Sequence, residues 1–191
     1  GGRTLSFQEA MARFVDSTGR PGPASWVLGE HPEGKADYPV GGVSWYEAAA
    51  YAAFRGRSLP TVYHWAVAAM PDAEIAEPLA PHIGPQSNLQ GDGPAPVGSH
   101  PGLSAAGAAD MAGNVAEWVW NAWGENRFLL GGAWEDPEYH FPIANAGSPW
   151  GRRPTNGFRL ATYPEPPAER TLAALDLPKV DYFSLAPSAD G

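Results

Sequence analysis

Residues 109–120, Ala109-Asp110-Met111-Ala112-Gly113-Asn114-Val115-Ala116-Glu117-Trp118-Val119-Trp120, decide how the rest of the chain is read. Two carboxylates, Asp110 and Glu117, stand seven residues apart with a Gly113-Asn114 turn between them. Val115, Trp118 and Val119 read as a short strand that anchors the turn by one edge. Carboxylate oxygens at both ends and bare carbonyls in the middle suit a hard cation such as Ca²⁺, which takes oxygen ligands. The same residues also suit a plain structural turn, with Asp110 as its cap and Glu117 as a solvated strand residue. Local chemistry leaves both open.

Composition narrows the class. The 191 residues amount to one domain, with room for a tail. Glycine (23) and proline (21) are abundant enough to suggest a loop-rich or disordered chain. Eight Trp, seven Tyr and seven Phe argue for a folded core with much irregular backbone. A net charge of −9 shows no basic face for nucleic acid. The absence of cysteine excludes disulfides, thiolate nucleophiles, zinc–thiolate sites and iron–sulfur clusters. No apolar run reaches the length of a membrane span, and no signal-peptide pattern is present, so the sequence assigns no compartment. Because the chain begins Gly-Gly-Arg rather than with Met, a fragment lacking its N-terminal start is expected.

Before the central stretch, helical signals dominate. Ser6 and Glu9 form a capping box for a helix over 6–17, with Phe7, Ala10, Met11, Phe14 and Val15 on one face and Gly19 as its stop. Residues 20–42 read as loop, anchored by Trp26. Ser44 and Glu47 repeat the box for a second helix that buries Trp45, Ala48, Ala49, Ala52 and Ala53 and stops at Gly56. Thr61 caps a third helix, 62–69, with Trp65 inward and His64 on its surface. Prolines break residues 71–109 too often for a regular element; a loop of that length needs a tie, and a metal is one way to supply it. Short strands are expected at 115–119, 128–130 and 157–161. The Pro-rich run at 164–167 reads as a linker, followed by a helical piece at 171–175.

Among candidate sites, no two histidines stand at metal-pair spacing, and no nucleophile elbow, Walker loop or dinucleotide fingerprint occurs. The segment Trp134-Glu135-Asp136-Pro137-Glu138-Tyr139-His140-Phe141 has the composition of a small polar-ligand site, and equally of an ordinary acidic loop. Trp150 with Arg152 and Arg153 offers a stacking face and two cations. Arg159, flanked by apolar strand residues, is expected to pair internally with a carboxylate.

Three blocks together carry a resemblance. They are Pro39-Val40 through Trp45-Tyr46-Glu47-Ala48 with Arg57-Ser58-Leu59-Pro60-Thr61; Asp110 through Trp118; and Gly131-Gly132-Ala133-Trp134 with Asn156-Gly157-Phe158-Arg159-Leu160-Ala161. Over residues 5–163 the chain resembles the formylglycine-generating enzyme (sulfatase-modifying factor, FGE-sulfatase) domain family. The resemblance implies an α+β, C-type-lectin-like fold with little regular structure and buried Ca²⁺. It assigns calcium to the side chains of Asp110 and Glu117 and the carbonyls of Gly113 and Val115. A second calcium site of the family would begin at Asn88-Leu89, with Asp92 as a candidate substitute for a missing ligand. The family's enzymes hold copper on a cysteine pair, whose positions here look like Asp136 and Phe141. No copper and no formylglycine generation are therefore expected.

The resemblance also covers modules attached to bacterial serine/threonine kinases, enzymes of ergothioneine-type sulfoxide synthesis and ligand-binding variable proteins. The wording around Gly19–Pro23 and Ser58–Trp65 is most similar to the kinase-linked group. The tail Asp181-Tyr182-Phe183-Ser184-Leu185 is similar to the start of a following domain.

The expectation is thus an FGE-sulfatase-like domain over 1–163, with a linker and the start of a further segment over 164–191. Its role would be that of a non-catalytic, calcium-stabilised module of a larger bacterial protein. An unidentified small ligand or protein would bind through Trp134, Asp136, Tyr139, His140, Trp150 and Arg152. Two alternatives stand beside it: an enzyme using Asp136, Glu138, Tyr139 and His140 as acid–base groups, and a lectin-like recognition domain.

Overall fold

Ser6 and Ser44 start two helices by the same device. Each serine hydroxyl accepts the N–H of the glutamate three residues on, and that glutamate takes back the serine N–H. The helices are α1 (Phe7–Met11) and α2 (Trp45–Phe54). A third, α3 (Val62–Ala69), is capped by Thr61, which accepts from the N–H of His64. These elements belong to a computed structural model that describes residues 6–70 and 83–175.

α1 is shorter than the pattern over 6–17 suggests, and Asp16 gives the reason. Its carboxylate accepts the N–H groups of Thr18, Arg20 and Gly29 and the Thr18 hydroxyl, while Val15 bridges to Pro21. A compact loop thereby takes the chain that would have extended the helix, and Gly19 sits in it at φ +83°. In α2 only Trp45, Ala48 and Ala52 of the expected face are buried; Ala53 is exposed.

Four strands form one sheet in the order β3-β2-β1-β4: β1 (Ala116–Trp123), β2 (Asn126–Leu130), β3 (Asn145–Gly147) and β4 (Asn156–Phe158). β1 and β2 are an antiparallel hairpin with an irregularity between Trp118 and Ala122; β4 runs parallel to β1 and sets Gly157 beside Glu117. A side chain at Gly157 would collide with Val115 and the Val40 carbonyl, so glycine is required there. β4 stops at Phe158, and the rest of the expected strand is used in a bridge from Ala161 to Ser58. β3 is composed of Asn, Ala and Gly and gives no strand signal; its pairing with β2 creates it.

Alternation along β1 separates two cores. Val119 joins Trp65, Met111, Phe128 and Phe141 on the α3 side, whereas Trp118 joins Trp45, Ala48 and Leu59 on the α2 side. The buried indoles are satisfied: Trp45 donates to the Val119 carbonyl, Trp118 to the Val43 carbonyl and Trp65 to Glu117.

Residues 165–175 stay on this body. A short helix, α4 (Glu169–Leu172), replaces the piece expected at 171–175. Asn121, fully buried on β1, accepts the N–H that opens α3 at Val62 and donates to the carbonyls of Thr171 and Ala173. The Leu175 N–H reaches the Ala122 carbonyl. Residues 71–82 and the Asp181–Leu185 motif lie outside the described residues. In the described part of the long loop, Asn114 supplies a tie through hydrogen bonds with both backbone groups of Ala95 and with Asn88. No described helix is long and apolar enough to cross a membrane.

Candidate functional site

The turn between Asp110 and β1 is held in left-handed backbone. Asp110, Gly113 and Asn114 have φ values of 53°, 74° and 63°. A Cβ at Gly113 would run into the Asn88 carbonyl, which accepts the N–H of Asn114. Only glycine meets both demands. The turn brings Asp110, Val115 and Glu117 to one cavity of about 210 Å³, with Arg159 in its wall.

Glu117 is 5% exposed, so its reading as a solvated strand residue is corrected: the parallel register with β4 carries it inside. Arg159 grips it with two hydrogen bonds, Nε to Oε2 at 2.6 Å and Nη2 to Oε1 at 2.7 Å. Trp65 Nε1 donates to Oε2 at 2.7 Å. The same Nη2 reaches the carbonyls of Ala109 and Asp110 at 3.2 and 3.1 Å. Burial opposes the Arg159 charge, but Glu117 and then Asp110 outweigh it and hold the guanidinium above its ordinary range. The internal pairing read from the sequence is therefore present, and its partner is the metal-motif glutamate.

The donor set fits Ca²⁺ in kind. Among the described residues, the carbonyls of Gly113 and Val115 accept no hydrogen bond, and Asp110 uses only Oδ2, for the Gly98 N–H. A carboxylate has about four lone-pair positions, of which Glu117 has filled three, so one remains on Oε1. The set is all oxygen, as calcium requires. Arg159 already neutralises one of the two carboxylates, which moves the site toward weak affinity. No described group of three or more His, Cys, Asp or Glu could hold a metal by side chains alone. At the second expected site, Asn88 donates to Gly93 and Asn114, Leu89 packs on the core, and Asp92 lines none of the three cavities described here.

The six expected ligand residues divide among three places. Asp136 and His140 meet, Oδ1 to Nδ1 at 3.0 Å, and line a cavity of about 220 Å³ with Gly132 and Asn145. The other oxygen of Asp136 accepts the Ala133 N–H, which fixes the carboxylate. Tyr139 stands edge-on to His140 but is 67% exposed, and Glu138 packs at Gly84. Trp134 lines a separate cavity of about 320 Å³ with Trp26 and Tyr38.

Trp150 and Arg152 line none of these cavities. Trp150 stacks with Phe14, meets Tyr46 at a tilt and lies beneath Arg13. Arg152 is a strut: it holds both oxygens of Glu47 at 2.9 and 2.8 Å and donates to the carbonyls of Val15, Gly22 and Arg13. Sequence reading assigned Glu47 to its capping box and so left Arg152 without its partner. Phe141, at one expected cysteine position, is 2% exposed and part of the α3-side core.

A small mixed sheet with capped helices on it, little other regular structure and the Asp110–Glu117 turn define an FGE-sulfatase-like α+β domain. Residues 7–164 match the model of the sulfatase-modifying factor enzyme 1-like domain, and the chain belongs to that family. It is 35% identical over 157 residues to hercynine oxygenase of Mycobacterium tuberculosis, covering 66% of this chain and 37% of that protein. It is 31% identical over 152 residues to serine/threonine-protein kinase pkn1 of Chlamydia caviae, covering 67% of this chain and 24% of the kinase. The chain thus spans well under half the length of these relatives. Among solved structures, Treponema denticola variable protein 1 superposes with a TM-score of 0.56 at 19% identity over 79% of this chain and 78% of that one, a likeness of fold.

Proposed function

We propose that this chain is a non-catalytic, calcium-stabilised FGE-sulfatase-like module of a larger bacterial protein, and that it binds a ligand or partner. The observation that carries the reading is the pair of positions expected to hold cysteines. Phe141 is a core side chain and Asp136 is tied to His140 and Ala133, so this chain has no thiolate to bind copper or oxidise a substrate. Calcium would be held by Asp110, Glu117 and the carbonyls of Gly113 and Val115, and its role there is to fix the turn. Likeness to a chlamydial kinase supports a place in a signalling protein. The test is metal analysis of the purified chain together with thermal melts in Ca²⁺ and in chelator. The expected result is a rise in melting temperature with Ca²⁺ that is absent in Asp110→Ala; no bound metal and no shift in the parent chain would reject the calcium reading.

One observation favours an enzyme instead. The Asp136–His140 pair lines its own cavity and has the form of an oriented general base. Among the described residues no nucleophile or second acid lines the same cavity, so binding is the better-supported role.

A further inference from the structure

The largest of the three cavities, about 320 Å³, is used by nothing described so far, and its size falls within the range of small-ligand pockets. Its walls include the rings of Trp26, Tyr38 and Trp134, and its polar groups are Ser25, His31 and Lys35. Not one of its lining residues is a carboxylate, in a chain whose net charge is −9. Glu30, Glu33 and Asp37 lie on the same loop but are not among the lining residues.

Donors are available at the cavity. The indole N–H groups of Trp26 and Trp134, like those of Trp120, Trp123 and Trp150, have no acceptor among the described residues, unlike the buried indoles of Trp45, Trp65 and Trp118. Lys35 makes no ion pair with a described residue; its ammonium rests 3.6 Å from the centre of the Tyr38 ring. Every polar side chain that lacks a partner here can donate a hydrogen bond, and the one fixed charge is positive. Flat aromatic walls with donors at the edge favour a planar apolar body that ends in an anionic oxygen group.

We infer that this cavity is a binding site for a small aryl carboxylate, with the ring between Trp26, Tyr38 and Trp134 and the carboxylate at Lys35. The inference deepens the reading of the chain as a binding module by naming its ligand class. Pro39, Val40 and Val115 line both this cavity and the Asp110–Glu117 cavity, so the ligand would sit one residue layer from the turn.

The test uses 2-naphthoate, its neutral analogue 2-naphthamide and the cation 2-naphthylmethylammonium, titrated into the whole chain by NMR. Saturable binding of 2-naphthoate that moves the indole N–H signals of Trp26 and Trp134 is expected, with the amide weaker by roughly fivefold and the cation weaker still. Lys35→Gln, at an exposed position that leaves folding intact, should weaken 2-naphthoate by the same factor and leave the amide unchanged. No saturation at millimolar probe, equal binding of acid and amide, indifference to Lys35→Gln, or signals moving only elsewhere would each overturn the assignment. So would displacement of 2-naphthoate by a proline-rich peptide or a neutral sugar at lower concentration. The calcium reading is decided by metal content, the aryl-acid site by these titrations, so either can fail alone.

Discussion

Glu117 on β1 and Arg159, the residue that follows β4, close a two-point ion pair, with Nε–Oε2 at 2.6 Å and Nη2–Oε1 at 2.7 Å. Removing one partner strands the other charge inside the protein. Arg159→Met should cost about 3–5 kcal/mol of unfolding free energy. Glu117→Leu with Arg159→Met together should cost less than the sum of the two single changes, because neither buried charge is left alone. Urea unfolding of the four proteins checks this; strict additivity would show that the two residues are uncoupled.

Gly113→Ala tests the turn. The new methyl would press on the Asn88 carbonyl from a backbone at φ +74°, so strain and collision act together. A loss of about 2 kcal/mol or more is expected from a single carbon. Gly124→Ala is the control, because the glycine shares a positive φ of 58° but a Cβ there meets nothing within 4 Å. A smaller loss at Gly124 than at Gly113 separates collision from backbone preference.

Acid sensitivity should trace partly to Asp16. Burial raises its pKa, but hydrogen bonds from the Thr18 hydroxyl and the N–H groups of Gly29, Thr18 and Arg20 outweigh this and lower it from 3.8 to about 2. A carboxylate depressed in the folded state contributes stability that is complete above its unfolded pKa and is lost as pH falls from there through the folded value. Melting temperature measured from pH 5 to pH 2 should fall less steeply in Asp16→Asn than in the parent chain. Parallel slopes would remove Asp16 from the account.

The two positions expected to carry cysteines have taken different tasks: Phe141 packs in the α3-side core, while Asp136 pairs with His140. Phe141→Ala opens the α3-side core and should cost about 3–5 kcal/mol. His140→Ala breaks a partly exposed pair and should cost under about 1 kcal/mol. Chemical denaturation compares them directly; equal losses would contradict the division between core and surface.

Helix starts were legible because a capping box is a local contract between residues three apart, and both boxes form as read. The turn was legible for the same reason: its glycine and its acids lie within eight residues of one another. What failed to show was long-range. β3 has no strand-forming residue and depends on β2, α1 ends early because Asp16 collects donors from as far as Gly29, and Arg152 finds Glu47 across 105 positions. In the candidate ligand segment, Trp134 is close in sequence to Asp136 and His140, but it lines one cavity and they line another, a division set by long-range packing.

Asn121 has a consequence for where this protein can be cut. Its amide holds the carbonyls of Thr171 and Ala173 from the centre of the sheet, several residues past the point at which the family pattern stops. Trimming the chain at Tyr163 would leave that amide with two N–H groups and nothing to give them to, in a place water does not reach. The smallest piece that keeps the molecule whole therefore ends later than homology alone would set it.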